Sequence, residues 1–460
     1  MRWPEVAAFL IASASLSGCA GSFSSQQRPS KWTTGFWFWQ GSSTEANWSS
    51  EPLDVLFVHV GTIGKDQLPF APRTDRWYVS GSLPAELPPA REYWLVFRFE
   101  RQGVPDLQVA PSVAQEVSQL RAAAQKRHLN LVGVQLDIDS PTGALSQYAN
   151  FLREVRKGLP PAFEISITAL LDWFRSGTAI AEVIREVDEF VPQFYDLADR
   201  HRLDGGTAIA TRIDATRWGP VFNRLGKRFR VGISTFGRAR MVPRDASSPS
   251  GYVRLAAFFG DLAPVQIAPN PAFHMQATRN QANELVLSYR ATRKTRIGYN
   301  NFDPGDIVQF ILSTPEAVRA AIESVRQIKG LLAGVVFFRW PSSDEGLAMQ
   351  PDEVLIAAGL TARNAGMRSG IHVVNGRCAA VECVDIYLKS ANPFSSKLVR
   401  YRIRSSTELE YFLPEQDIPV RMTSPSQLEV SLPPYCGRGR LYLGRAVTAT
   451  HAEFTVEEEQ

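Results

Sequence analysis

Eight short runs of apolar, aromatic or β-branched residues recur between Phe36 and Trp340, most of them followed by a helical pattern. That alternation restricts the chain to very few folds. The runs cover 36–39, 55–60, 93–99, 131–139, 165–170, 190–195, 230–236 and 334–340. Residues 113–126 place Val117, Leu120 and Ala124 on one helical face. Ser140-Pro141-Thr142 opens a helix carrying Leu145, Tyr148, Phe151, Leu152 and Val155, and residues 179–187 form another. Thr314-Pro315 reads as a cap followed by proline at the first helical position. The pattern predicts the α/β class and a (β/α)8 TIM-like barrel. An open doubly wound sheet would carry a glycine-rich phosphate loop after its first strand, and the sequence has none. The first two connections carry no convincing helix.

Between the seventh and eighth runs the spacing opens into an insertion, about 238–301, with a strand of its own at 285–290. After Met349 the helical periods stop. Six short strands with turn residues between them (371–374, 384–388, 398–403, 409–413, 428–432 and 441–443) predict an all-β sandwich. The expected organisation is therefore barrel over 33–349 and sandwich over 350–460. The net charge of +4 over 460 residues includes no dense Lys/Arg block, which argues against nucleic acid as a partner. The six histidines are scattered without ligand spacing, so no metal is expected, and no nucleotide, flavin or haem signature is present.

The N-terminus reads as a targeting segment. Arg2 precedes an apolar stretch, 6–16, that is too short to span a bilayer. Leu16-Ser17-Gly18-Cys19 follows and resembles a bacterial lipobox. This resemblance implies a signal peptide over 1–18, diacylglycerol on Cys19, and a flexible tether over 19–32. Ala20 resembles the outer-membrane sorting class, so the expected location is the bacterial cell envelope. Cys378, Cys383 and Cys436 remain, enough for one disulfide and one free thiol, with the pairing open.

The candidate site comes from strand alternation. In the fourth run Gln135, Asp137 and Asp139 share one face while Val134, Leu136 and Ile138 share the other. Buried carboxylates cost several kcal/mol unless paired or hydrogen-bonded. These acids therefore line a wet site or belong to a network. Barrel sites gather at the C-terminal ends of strands. There the same reading places His59, Arg98, Glu100, Ser166, Thr168, Gln193, Tyr195 and Arg339, with Asp172, Asp344 and Glu345 just beyond. Either Arg98 or Arg339 can neutralise Asp137. Trp37, Trp39, Trp173 and Trp340 also fall at strand ends, where an exposed ring can stack on a sugar or simply pack.

Val134-Gln135-Leu136-Asp137-Ile138-Asp139, together with Phe194-Tyr195-Asp196, resembles the family-eighteen, chitinase-type glycoside hydrolase barrels. In that family a strand-four motif Asp-x-x-Asp-x-Asp-x-Glu supplies the acid. A strand-six Met-x-Tyr-Asp motif helps to hold the substrate. The resemblance matches Asp137 and Asp139 to the second and third acids and Tyr195 to the tyrosine. The first acid position is Val134 and the general-acid position is Pro141, which has no proton to give. A closer resemblance is to a bacterial domain-of-unknown-function family, 3142. It is carried by Asp137-Ile138-Asp139-Ser140-Pro141, Tyr148-Ala149-Asn150-Phe151-Leu152 and the late strand Val336-Phe337-Phe338-Arg339-Trp340-Pro341, over residues 35–345. It implies the barrel and supplies no activity.

Three functional readings stay open on the sequence. A glycoside hydrolase would use Asp139 as acid or stabiliser, Asp137 to tune it and Tyr195 to hold substrate. Gln135, Gln193, Arg98, Glu100, His59, Arg339, Asp172 and Trp340 would line the subsites. It would need a second carboxylate roughly 5–5.5 Å or about 6.5–9.5 Å away. A glycan-binding lipoprotein would use the same groove without cleavage. An envelope scaffold would leave it solvated. The anchor is independently testable: Cys19→Ser is expected to abolish incorporation of labelled fatty acid and to release the protein from the membrane fraction. Unchanged labelling would exclude Cys19 as the acceptor.

Overall fold

In the computed structural model the described residues are 32–39, 41–42, 52–65, 77–99, 101, 103–195, 213–242, 264–298, 300–342, 346–360, 370–376, 378, 382–389, 394–395, 398–415, 418–432, 435–436 and 440–459. Eight parallel strands close into a barrel: β1 Thr33–Phe38, β2 Leu53–Lys65, β3 Ala90–Phe99, β4 Leu131–Asp137, β5 Glu164–Ala169, β6 Glu189–Phe194, β7 Arg228–Ser234 and β8 Leu332–Phe338. Closure rests on β1, which pairs with β8 through Gly35↔Val336 and with β2 through Gly35↔Val55. Connections after β3 to β6 contain α1 Ala110–Lys126, α2 Leu145–Gly158, α3 Ile180–Arg185 and α4 Ala215–Asn223. Helix α5, Pro315–Arg326, leads into β8, capped by the Thr314 hydroxyl, which accepts from the Ala317 N–H. After β2 the chain adds an antiparallel strand, Trp77–Gly81, on that strand's own C-terminal half.

Side-chain alternation divides each strand between two environments. Outward residues such as Leu56, Val58, Leu95, Phe97, Val134, Leu136, Ile165, Ile167, Phe190, Val335 and Phe337 are buried against the helices in the main core. Inward residues Trp37, Val55, Phe57, Trp94, Val96, Val191 and Val336 form a second cluster that fills the barrel. The large rings fit because glycines face them. A Cβ on Gly133 would lie 2.7 Å from the Trp94 ring, and one on Gly232 would lie 3.0 Å from Trp37.

The first inward residues of β5, β6 and β7 build an ion network at the N-terminal end of the barrel. Fully buried Glu189 accepts through one oxygen from Arg228 Nε at 2.9 Å and from Arg230, and Arg228 also pairs with Glu164. Arg230 donates to Thr33 Oγ1 at 3.1 Å and lies 3.9 Å from Glu92. Burial raises the Glu164 pKa, Arg228 opposes that rise, and the neighbouring acids reinforce it.

The insertion after β7 is a four-stranded antiparallel sheet in the order Phe273–Arg279, Leu285–Ala291, Ile307–Leu312, Arg238–Val242, with its own core around Tyr289 and Phe310. Its strands thus include three that the sequence pattern did not mark. Two further four-stranded antiparallel sheets follow α6, Pro351–Ala357. One contains Gly370–Asn375, Glu382–Lys389, Arg440–Thr448 and Leu409–Pro414. The other contains Val420–Ser424, Gln427–Leu432, Val399–Ser405 and Phe454–Glu459. They enclose a common core that includes Ile386, Leu388, Tyr401, Ile403, Val430 and Leu443. Cys378 and Cys383 form a disulfide beside the hairpin that joins the first two of these strands.

Removing one partner from a buried ion pair strands the other charge. Glu189→Ala is therefore expected to lower unfolding free energy by roughly 3–5 kcal/mol. Chemical denaturation would measure it, and a loss below about 1 kcal/mol would contradict a structural role for the network.

Candidate functional site

Asp137 is the last residue of β4 and Asp139 lies two residues beyond, both on the inward parity. Arg98, near the end of β3, pairs in register with Asp137. Its guanidinium forks between the two acids: Nη1 donates to Asp137 Oδ2 at 2.5 Å and Nη2 to Asp139 Oδ2 at 3.1 Å. Thr168 on β5 donates to the other oxygen, Asp137 Oδ1, at 2.7 Å. The Asp137 side chain is only 4% exposed and Asp139 is 39% exposed. Asp137 is thus an anchored acceptor at the floor and Asp139 the outward member. A shared cation stands between the two carboxylates. Burial disfavours the charge on Arg98, but Asp137 and Asp139 outweigh it and raise the Arg98 pKa.

Below the fork, Gln135 is fully buried. It accepts from Trp37 Nε1 at 2.7 Å and donates to Ser166 Oγ at 3.1 Å. This chain locks its amide and the Trp37 ring in one orientation. Gln135 and Trp37 therefore belong to the floor. Above, aromatic rings line one wall. Trp39 stacks on His59 at 4.4 Å, and Tyr195 stacks on Phe338 at 5.2 Å. Trp37 meets Tyr195 edge-on at 6.2 Å. Trp39, His59, Tyr195 and Phe338 are partly exposed, and Gln193 shares the Tyr195 face, half-buried.

Other expected site residues lie elsewhere. Asp172 accepts from the Thr142 hydroxyl at 2.6 Å, and Trp173, fully buried, donates to the Ser140 carbonyl at 2.9 Å. These two contacts tie the loop after β5 to the loop after β4. Trp340 is fully buried at 5.4 Å from Phe36 and 6.3 Å from Phe38, on the outward side of β1. Its ring is core, as are those of Trp37 and Trp173; Trp39 alone of the four candidate tryptophans keeps exposed surface. Arg339 is buried, with its guanidinium 4.9 Å from the Phe236 ring of the insertion core. Inward parity on β8 runs Gly334, Val336, Phe338, which is why Phe338 rather than its neighbours reaches the wall. Strict alternation back from the β8 end would have found it. Alternation places Thr168 on the inward face, and the structure joins it to Asp137. Glu100, Asp196, Asp344 and Glu345 lie outside the described residues, as does Cys19.

Pro141 precedes a 3-10 turn, Thr142–Ala144, that leads into α2. Among the described residues no three His, Cys, Asp or Glu side chains gather as metal ligands would, and no helix is long and apolar enough to cross a membrane. The site is the C-terminal mouth of a (β/α)8 barrel, carrying an arginine-bridged acid pair beside an aromatic wall. Residues 90–249 match the family model described as Domain of unknown function (DUF3142), a narrower span than 35–345. That span runs from the first residue of β3 into the insertion and contains Arg98, Asp137, Asp139, Thr168 and Tyr195. No curated protein matches the chain in sequence. Solved structures similar to it include the chitinase ChiA74 from Bacillus thuringiensis, with 10% identity and a TM-score of 0.43 over 92% of this chain and 100% of that one. A family GH18 chitinase from Chromobacterium violaceum has 11% identity and a TM-score of 0.41, over 93% of this chain and 90% of that one. The Bacillus cereus spore cortex-lytic enzyme SleL has 12% identity and a TM-score of 0.43, over 72% and 75%. Identities this low assign no residue roles; the barrel stands on its own strand order.

Burial lowers the His59 pKa below its ordinary 6.5; Asp137 pulls it back up and Arg98 pushes it further down. As pH falls below 6.5 the unfolded imidazole takes a proton that the folded one refuses, so stability is lost down to the folded pKa. His59→Gln is expected to flatten that part of the pH–stability curve relative to the wild type. Parallel curves from urea denaturation at pH 5 to 8 would contradict a neutral, half-buried His59.

Proposed function

We propose that this protein is an exported, lipid-anchored envelope protein that binds a glycan in the C-terminal mouth of its barrel. The observation that carries the reading is a fixed, partly exposed acceptor and a cluster of flat rings at the ends of strands of one barrel. Asp139 is held by Arg98 with 39% of its side chain open to solvent. Trp39, Tyr195 and Phe338 line the wall. Sugar rings present hydroxyl donors at their edges and apolar C–H faces, so an acceptor and aromatic surface in one mouth suit them. The Arg98 and Thr168 contacts fix the acid geometry before any ligand arrives, which lowers the ordering cost of binding.

Binding is favoured over cleavage by the protonation chemistry. Glycoside hydrolysis needs a proton donor as well as a carboxylate. Pro141 stands at the family-eighteen donor position. Among the described residues the mouth acids are Asp137 and Asp139, both committed to Arg98, with Asp172 committed to Thr142. One observation keeps hydrolysis as the second reading: an arginine-paired, half-open Asp139 suits the stabilisation of positive charge developing on a sugar ring. That reading requires its donor among Glu100, Asp344 and Glu345.

The test uses the chain from residue 32 and its Asp139→Asn variant, incubated with peptidoglycan, bacterial exopolysaccharides and N-acetylated oligosaccharides. Thermal shift and new reducing ends are followed together. A wild-type thermal shift that weakens about tenfold in ligand affinity in the variant, with no reducing ends, is the expected result. Reducing ends from the wild type alone would establish hydrolysis. The absence of both signals would overturn glycan recognition at the mouth.

A further inference from the structure

The sheet made of Gly370–Asn375, Glu382–Lys389, Arg440–Thr448 and Leu409–Pro414 turns Ile386, Leu388, Leu441 and Leu443 into the C-terminal core. Alternation then directs the intervening residues outward, and among these is a row of aromatic rings beside a charged pair. His372, Tyr387 and Tyr442 occupy neighbouring register positions on three adjacent strands. Their rings follow one another at 6.3 Å and 5.2 Å. A second row runs alongside: Val374, Asp385, Arg445 and Leu413 are in register across all four strands. Arg445 holds Asp385 in a two-point grip, Nε at 2.8 Å and Nη2 at 2.9 Å, and the Tyr442 hydroxyl donates to the same carboxylate at 3.1 Å. Val374, Leu413 and Tyr411 flank the rows and are 42%, 55% and 58% exposed.

We propose that this outer sheet face is a second glycan-binding surface, on which Tyr387 and Tyr442 stack successive sugar rings while the Asp385–Arg445 pair hydrogen-bonds their hydroxyls. The geometry selects the ligand class. Rings on adjacent strands recur at about the 4.8 Å strand spacing, close to the length of one pyranose unit in a linear polymer. Flat rings in one row beside a fixed donor–acceptor pair in the next match the two surfaces of a sugar, its C–H face and its hydroxyl edge. Arg445 Nη1 makes no hydrogen bond among the described residues and remains a donor for such an edge. Burial and the Asp385 contact push the Tyr442 hydroxyl up to about 12, so it stays a protonated donor that orients the carboxylate. A protein partner fits less well: a stable interface removes about 800 Å² per side around a desolvated apolar centre, whereas here a charged pair stands beside the rings. The inference shares the ligand class of the barrel-mouth reading but none of its residues.

The experiment uses the chain from residue 32, with peptidoglycan sacculi and insoluble chitin as the polymers. Retention in the pellet is compared for the wild type, a Tyr387→Ala/Tyr442→Ala variant, a Tyr387→Leu/Tyr442→Leu variant and Asp139→Asn. The leucine pair preserves apolar volume without flat rings and keeps the test valid if the alanine pair unfolds. Both tyrosine variants are expected to lose about tenfold in retention while their response to soluble oligosaccharide at the mouth is unchanged. Asp139→Asn is expected to behave in the opposite way. Retention unchanged in a folded tyrosine variant overturns the proposal. So does wild-type failure to pellet with either polymer, even if the mouth responds. A concentration-dependent dimer in sedimentation, lost in the leucine pair, would reassign the face to self-association.

Discussion

A carboxylate with 4% of its side chain exposed stands at the end of a barrel strand, and the mouth is organised around making that tolerable. Uncompensated, Asp137 would cost several kcal/mol. Arg98 and Thr168 occupy its two oxygens from the neighbouring strands on either side. Because the guanidinium is a rigid fork, satisfying Asp137 also fixes where its second nitrogen points, and Asp139 is placed there. One ion pair therefore sets the depth of the floor, the position of the outward acid and the local charge. It also influences groups that are not its hydrogen-bond partners. Burial pushes His59 toward neutrality, Asp137 opposes that and Arg98 adds to it, while the Tyr148 hydroxyl is held well above its usual pKa by burial and the two acids.

The barrel interior is graded along its axis. At the N-terminal end buried Glu189 and Arg230, joined to the half-buried Arg228 and Glu164, close the interior with an ion network. The middle is filled by Trp37, Phe57 and Trp94, accommodated by glycines opposite. At the C-terminal end the Trp37–Gln135–Ser166 chain marks the transition from apolar packing to the polar mouth. A ligand group meeting this stack reaches positions already satisfied by protein partners. Recognition consequently belongs to the outer acid and the aromatic wall, and the groups beneath act as their support.

Much of this was legible in the chain because period two is an unambiguous signal where one face is apolar. Val134, Leu136 and Ile138 assigned the outward face of β4, and the acids followed from that alone. The same alternation placed Arg98, Gln193 and Tyr195 correctly on inward faces. It holds through Phe338, which sends Arg339 outward, and breaks at Trp340. Trp340 and Arg339 follow β8 and looked like mouth residues, yet Trp340 sits against Phe36 and Phe38, and Arg339 over Phe236. The strand Ile307–Leu312 escaped notice because it joins a sheet with Arg238–Val242, about seventy residues earlier, and no local pattern announces such a partner. Asp172 resembled a second carboxylate by its position after β5, but Thr142 claims it.

By itself the sequence determined the eight barrel strands, the faces most of their residues present and the presence of paired acids, since these depend on local periodicity and on the cost of burying charge. Only tertiary structure decided that Arg98 forks between Asp137 and Asp139, that Thr168 completes the floor and that Phe338 and Trp39 build the wall. Those outcomes depend on register between strands and on which neighbour reaches a lone pair first. They are set by barrel closure, because contacts between residues far apart in the chain exist only once β1 has paired on both sides.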